Sequence, residues 1–540
     1  MTKALVSGGR LERAIAWLSP GHALKRAKAR GEYNALSGGG YDGARRDRRD
    51  LQAFNPSGTS ADAASLPDLE TLRARSRDLA RNAPFAGGAL RTNVTNVVGA
   101  GLRLRPRIDR EALKLSDDAA DRWERQALRE FNAWADSPEC DVSRTLTFGG
   151  LQGLSFRSEL ENGDSFTFLP YLPRPGSAYG LKLQLVEADR ISNPNRRQDS
   201  EACAGGIQLE HGTGAPLGYW ATNRHPGAHI TGGAALTWTY HAAFGERSGR
   251  RNVLHHFVPE RIGQTRGIPY FAPVVALLKQ LTRYGDAELM AAVMTASVAV
   301  VSKIEAGSGT ARSPLAATSS ETPEASDLAR VDIDFEAGLV IEGFRPNESI
   351  EGFTTSRPNP QFEAFVQAVV RQLGVALELP YEVLIKHFTA SYSAARAALL
   401  EAWRVFRVRR AHVASSFCQP VYEAFLTEAV AIGRLKAPGF FADPMILKAW
   451  AGAQWIGPSP GQIDPEKEAR ANEIAVDRAW KTDDQVTAET TGEDWEVNVK
   501  VRGREVRQRE AEGLAPPPPK ASAPAPEPKP NPDKKDEEKE

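Results

Sequence analysis

From residue 362 to 410 the apolar positions repeat with a helical period, break once, and resume. At 100° per residue, Phe365, Val366, Val369, Val370, Leu373, Ala376 and Leu377 share an arc of roughly 140°. Glu363, Gln367, Arg371 and Glu378 take the opposite side, so the spacing predicts an amphipathic helix over 359–378. Pro380 ends it, because its ring crowds the preceding turn and it brings no amide hydrogen. A second helical run starts near Ser391 and passes through Ala394, Ala395, Ala397, Ala398, Leu399 and Leu400 to Trp403 and Phe406, predicting a helix over 391–430. Between the two, 380–390 reads as an apolar loop whose tip, Lys386 with His387, is cationic.

Upstream, Leu69, Leu72 and Leu79 predict a helix over 67–80, with Pro67 in its first turn. Trp123, Leu128, Phe131 and Trp134 predict another over 117–134. Short strands are expected at 94–98 and 102–108. From 148 to 258 the pattern becomes β-like and glycine-punctuated, with strands at 165–169, 181–186, 218–222 and 253–258. A long Ala/Leu/Val-rich helix is expected over 269–303 and a flexible Ser/Thr/Ala/Pro loop over 307–325. Strand-like alternation continues at 332–341 and 348–353. The helices flanking this insert are expected to run side by side and carry it at their far end. Asp464-Pro465, and Thr482 with Gln485, read as helix N-termini, and Gly492 as a stop. Beyond Leu514 too few apolar residues remain to bury, which predicts disorder.

Composition narrows the functional classes. With 540 residues the chain exceeds a single core. Its 41% hydrophobic and 25% charged residues are those of a globular, intracellular soluble protein. No window is long and apolar enough for a signal sequence or a membrane span. The 68 basic and 68 acidic residues cancel, which argues against a tight, non-specific grip on duplex DNA but suits a surface past which DNA slides. Residues 1–50 depart from that balance, with 11 Lys/Arg against 5 Asp/Glu, and read as a basic arm. Cys140, Cys203 and Cys418 are too few and too scattered for a disulfide framework or a zinc site.

Candidate chemistry is sparse. The sequence contains no Gly-Lys pair, so no phosphate-cradling P-loop. His255 and His256 are adjacent, so on a strand they face opposite sides and cannot chelate one metal together. Asp332, Asp334 and Glu336, at spacing two, would share one strand face; an exposed acidic face explains them more simply than a cation site. Arg396, Arg404, Arg407 and Arg410 spread over roughly 120° of their helix and suit ion pairs between subunits better than contacts with DNA. No catalytic residue, metal or cofactor is expected.

Several blocks carry a resemblance. Leu379-Pro380-Tyr381-Glu382-Val383-Leu384, then Ser391-Tyr392-Ser393-Ala394-Ala395-Arg396 and Glu401-Ala402-Trp403, resemble the portal proteins of tailed bacteriophages, specifically the lambda-like family. So do Arg75-Ser76-Arg77-Asp78-Leu79 with Arg81-Asn82, Asn96-Val97-Val98-Gly99 with Gly101-Leu102, and Glu161-Asn162-Gly163-Asp164-Ser165-Phe166. His255-His256-Phe257 with Gly263-Gln264-Thr265-Arg266-Gly267, and Ile463-Asp464-Pro465-Glu466-Lys467-Glu468, complete the series, and the likeness covers most of the chain.

The resemblance implies an α+β multidomain portal fold that forms a ring. Its parts would be a basic arm (1–50), a mixed α/β wing (51–268), stem helices (269–303 and 359–378) enclosing a small α/β clip (304–358), and a tunnel loop (379–391). Beyond these would come a long wing or channel helix (392–430), a mostly helical crown (431–512) and a disordered tail (513–540). It also implies a non-enzymatic protein at one capsid vertex, assembled in the host bacterial cytoplasm, through which the genome is packaged and ejected. Partners would be further copies of itself, twelve in all, the terminase large subunit, the major capsid and scaffold proteins and a head–tail completion protein. Double-stranded DNA would pass without sequence specificity, and no membrane is involved. Tyr381, Glu382, Lys386 and His387 would lie at the channel, and Asp332, Asp334 and Glu336 on a channel or clip face. The rival readings are a metal-dependent DNA-processing enzyme using Asp332 and Asp334, and a monomeric adaptor.

Overall fold

The structure, a computed structural model, describes residues 17–22, 24–26, 28–29, 41–44, 48–228, 235–297, 301–304, 348–351, 361–388, 391–461, 465–493 and 495–514. The expected loop at 307–325, the strand at 332–341 and the tail beyond Leu514 lie outside the described residues. The chain forms two units, Met1–Ser60 and Ala61–Glu540. In the first, a 3₁₀ turn at Asp42–Ala44 precedes an exposed Arg48–Asp50 ion pair of 2.7 Å.

In the second unit, the Ala61–Asn82 helix starts six residues before its predicted beginning and holds Pro67 in its interior, not its first turn. Alanine-rich propensity and the burial of Ala61 and Ser65 outweigh the one hydrogen bond Pro67 cannot donate. Two expected β segments are helices instead. Residues 94–98 fall in or just beyond the Pro84–Val97 helix, whose buried Ala86, Ala89, Leu90, Asn93 and Val97 keep a 3.6-residue period. Residues from 148 form the Phe148–Asn162 helix, capped by Thr147 and buried along Leu151, Ser155, Phe156, Glu159 and Leu160. Its glycines act as spacers, not breakers: a Cβ on Gly149 would lie 2.5 Å from the Ala100 carbonyl oxygen. Burial on a packed face overrode β propensity and glycine content alike.

The Asp117–Ala135 helix lies where its pattern placed it, with Asp117 and Asp118 in the first turn. Strands Asp164–Phe168, Gln184–Val186 and Val253–Phe257 form an antiparallel sheet with Asp164–Phe168 in the centre, where Phe166 pairs with both Val186 and His255. Strands Cys203–Ala204, Ile207–Leu209, Pro216–Thr222 and Trp238–Ala242 form a four-stranded antiparallel meander. The predicted helix at 269–303 is shorter than expected, Val275–Ser297 after a 3₁₀ turn at Ala272–Val274, because Val301–Ile304 is a strand. That strand pairs antiparallel with Glu348–Glu351. The Tyr284 ring lies 5.5 Å from Phe362 and 5.0 Å from Phe365, so the Val275–Ser297 and Phe362–Ala376 helices do run side by side. The run expected as one helix at 391–430 is Tyr392–Val413 and Gln419–Ala431 joined by a π-helical turn, Ala414–Cys418.

The main core centres on Phe131, 5.2 Å from Phe425, 5.5 Å from Tyr422, 5.6 Å from Phe148 and 6.0 Å from Trp455. Trp455 belongs to strand Ala453–Ile456, which pairs antiparallel with Arg103–Pro106, so the chain beyond 431 returns to the core laid down by its first third. Helices Pro465–Asp477, Asp483–Thr490 and Trp495–Ala511 come last; the second begins with a capping box between Thr482 and Gln485.

Beneath the three-stranded sheet lies a buried ionic cluster. Asp164, wholly inaccessible, accepts from Arg73 Nη2 at 2.9 Å and from Arg266 Nε at 2.5 Å, and lies 3.4 Å from His255 Nε2. Arg73 Nε also donates to the Asn162 carbonyl at 2.9 Å, and Arg266 to the carbonyls of Ala188, Ile191 and Gly205. Close backbone contact makes this possible. Gly163 takes φ +91° and abuts Gly267, where a Cβ would lie 1.8 Å from the Gly163 oxygen. Blocks around 161–166, 255–257 and 263–267, far apart in sequence, therefore meet here.

Burial pushes the Asp164 carboxyl up, but Arg266 and Arg73 outweigh it and hold the group well below the ordinary carboxylate range. The folded value lies below the unfolded one, so this stabilisation is fully present above about pH 4 and is lost progressively as the pH falls from there towards the folded value. Asp164→Asn would leave the Arg266 guanidinium buried without its counter-charge and Arg73 with only Asp189 at 3.7 Å, and should cost about 3–5 kcal/mol in urea unfolding at neutral pH, with the deficit narrowing below about pH 4.

Candidate functional site

The segment between the two helical runs is locked from its buried side and open at its tip. The Phe362–Ala376 helix closes in a Schellman pattern: Leu379 N donates to Gly374 O at 2.9 Å and Glu378 N to Val375 O at 3.3 Å. That pattern needs a left-handed residue, normally glycine, yet Glu378 occupies the place with φ +54°. Gly374 gives room for the return, since a Cβ there would lie 2.6 Å from the Leu379 oxygen.

Partners from three other segments hold Glu378 and its neighbours. Arg409 Nη2 donates to the Glu378 carboxylate at 2.8 Å, Nη1 donates to Asn93 Oδ1, and the guanidinium lies 4.8 Å from the Tyr270 ring centre. Tyr270 in turn donates its hydroxyl to the Leu377 carbonyl, and burial pushes its phenol pKa up. Leu377 and Leu379 are sealed in the core. So Asn93 from the Pro84–Val97 helix, Tyr270 from ahead of the Val275–Ser297 helix, and Arg409 from the Tyr392–Val413 helix converge on one bend.

The irregular loop expected at 380–390 gives way to regular structure in its first half. Tyr381–Ile385 is a short helix with Pro380 at its N-cap, because Val383 and Leu384 face the core one turn after Leu379. Lys386 ends it in the left-handed conformation, φ 57° and ψ 37°, and donates its N–H to the Glu382 carbonyl, as does His387 at 3.2 Å. Tyr381 and Glu382 are half-buried, and the Arg371 guanidinium lies 5.4 Å from the Tyr381 ring centre. Glu382 thus shapes the tip through its backbone. Lys386, His387 and Phe388 are exposed. Residues 389–390 lie outside the described residues, and the chain resumes at Ser391, whose hydroxyl caps the next helix by accepting from Ala394 N.

The four tip candidates therefore share one turn, while Asp332, Asp334 and Glu336 lie outside the described residues. The arginine expectation needs correcting at Arg410. Its guanidinium turns inward to the carbonyls of Val97, Asn96 and Pro458, at 2.8–3.1 Å, and burial brings its pKa down to about 10. Arg404 pairs with Glu401 at 2.9 Å and Arg396 with Glu468 at 3.5 Å, both within the chain, while Arg407 is exposed. Sequence reasoning passed over Arg409, Tyr270 and Asn93. The one available signal was a glutamate, not a glycine, directly after the last apolar position of the helix.

Two long helices joined by a locked bend with an exposed basic tip define a scaffold that presents a turn. A family model for phage portal proteins of the lambda family matches residues 47–410. The chain is 28% identical over 495 residues to portal protein B of Escherichia phage lambda, covering 88% of this chain and 90% of that one. It is 26% identical over 487 residues to the portal protein of Escherichia phage N15, covering 87% and 88%. Among solved structures, a chain from the neck of a native GTA particle computed with C12 symmetry aligns at 13% identity and a TM-score of 0.39, covering 78% of this chain and 93% of that one. The chain belongs to the lambda family of phage portal proteins. As such it is a virion component serving genome packaging and the head–tail junction, and not an enzyme. No helix among the described residues is long and apolar enough to cross a membrane.

Arg409→Ala removes three anchors of the bend at once and should cost about 2 kcal/mol in denaturant unfolding. Glu378→Gly loses one half-exposed ion pair but removes the left-handed strain, so its change should stay below about 1 kcal/mol.

Proposed function

We propose that copies of this chain close into a ring, twelve in number as the resemblance implies, around a channel for duplex DNA at one capsid vertex. Rings of this kind need heterologous side-to-side interfaces whose rotation divides a full turn. The supporting observation is the bend at 377–388: buried on one side through Leu377, Leu379, Val383 and Leu384, it offers Lys386 and His387 to whatever passes. A ring of Lys386 side chains would make weak, salt-screened phosphate contacts that form and break as DNA advances.

In this reading the paired helices Val275–Ser297 and Phe362–Ala376 are the stem, and the ribbon of Val301–Ile304 with Glu348–Glu351 roots the clip at 304–358. The clip docks the terminase large subunit during packaging and a head–tail completion protein afterwards. Residues 51–268 form the wing and meet the major capsid and scaffold proteins. Residues 431–512 form the crown, with 453–456 sharing the wing's core. An acidic face at Asp332, Asp334 and Glu336 would keep DNA from adhering. Assembly takes place in the host bacterial cytoplasm.

Mass photometry of the purified chain should show a species of about 700 kDa, twelve chains of 58.7 kDa. A monomer at all concentrations would end the ring reading. Lys386→Ala should leave ring mass unchanged while altering DNA packaging in a salt-dependent way. Packaging identical to wild type from low to high salt would remove the tip from the mechanism.

A further inference from the structure

A second buried polar cluster lies on the other face of the Val253–Phe257 strand, and neither the fold nor the channel reading uses it. Glu159 comes from the last turn of the Phe148–Asn162 helix, His256 from that strand, and His412 from the last turn of the Tyr392–Val413 helix. His256 Nε2 lies 2.7 Å from Glu159 Oε2, and His412 Nε2 lies 3.2 Å from Glu159 Oε1. The two imidazoles stack at 4.6 Å with 20° between their planes. His256 is 1% and the Glu159 side chain 7% exposed, so water does not solvate this carboxylate freely.

The proton arrangement makes the cluster unusual. Ser416, in the π-helical turn, donates its hydroxyl hydrogen to the His412 carbonyl at 2.6 Å. Its oxygen must then accept from His256 Nδ1, 2.5 Å away. That fixes the neutral His256 ring with its hydrogen on Nδ1 and a lone pair on Nε2, aimed at the carboxylate. The contacts are close but misdirected: Glu159 Oε2, His256 Nε2 and His412 Nε2 make no hydrogen bond of acceptable angle.

Three potential ligand atoms facing one another, one carboxylate oxygen and two imidazole nitrogens, are arranged for a cation. Their ligand atoms all lie within 4.8 Å of one another. In a tetrahedron with bonds of about 2.1 Å, ligand atoms sit about 3.4 Å apart, so a small opening would seat an ion. Two imidazole nitrogens with one carboxylate oxygen suit zinc or a similar divalent transition ion; calcium and magnesium want oxygen throughout. The Ser416 contact is the supporting hydrogen bond that orients a ligating imidazole. His412, its side chain 26% exposed, supplies the way in and room for a water as fourth ligand. Adjacent histidines cannot chelate together, but that rule does not reach partners from other elements. We propose that Glu159, His256 and His412 form a structural zinc-class site clasping the wing helix, the central sheet and the long helix that leads away from the 377–388 bend.

Full-length protein, stripped with chelator and dialysed against zinc chloride, should hold about one zinc per chain by elemental analysis, with its thermal midpoint raised by about 5 °C. His412→Ala and Glu159→Gln should each reduce bound zinc to below about a tenth of an equivalent and abolish the shift, while Ser416→Ala should weaken affinity about 10- to 100-fold. Cobalt should give the visible absorption of a four-coordinate nitrogen/oxygen site in the wild type alone. Wild-type protein that binds no stoichiometric zinc would overturn the proposal, leaving a proton-bridged cluster. So would uptake unchanged in His412→Ala, which sits at the rim and spares the core should Glu159→Gln fail to fold.

Discussion

Burying the Asp164 carboxylate without partners would cost several kcal/mol, and its surroundings exist to offset that. Arg73 arrives from the first long helix, Arg266 from the loop before the Val275–Ser297 helix, and His255 from the neighbouring strand. Arg73 also donates to the Asn162 carbonyl and Arg266 to those of Ala188, Ile191 and Gly205, which fixes these four around one point. The close approach of Gly163 to Gly267 brings these groups within reach. Helix, sheet and loop thus share a single register, and the rest of the large unit is built on it.

The same economy recurs at the bend. Glu378 adopts a conformation costly for a side-chain-bearing residue, and Arg409, Asn93 and Tyr270 over-determine it from three directions. Strain persists where surrounding contacts leave no alternative, and here it rigidifies the root of a turn whose tip stays free. The outcome is a firm base beneath an exposed Lys386. Arg410, one residue on, serves the interior and secures the long helix to the Pro84–Val97 helix.

Local patterns were legible where a single face decides burial. Trp123, Phe131 and Trp134 marked their helix through one buried face, while the runs near 165, 218 and 253 were legible as short β-like segments between glycines, although Asp164–Phe168 is buried at every position. They misled at 94–98 and 148–162, where β-branched residues and glycines lie on helices whose buried faces supply the stabilisation. The bend was legible through Leu379 and Pro380. Its anchors were not, since Asn93, Tyr270 and Arg409 become neighbours only through packing.

The sequence by itself determined the amphipathic rods, the break between them, the cationic tip and, through six ordered blocks, the family. Only the tertiary structure decided which polar residues meet: Asp164 with Arg73 and Arg266, Glu378 with Arg409, Glu159 with His256 and His412. The physical reason is range. Periodicity is written by neighbours a few positions apart, whereas a buried charge is satisfied by whichever partner the fold carries to it, however distant along the chain.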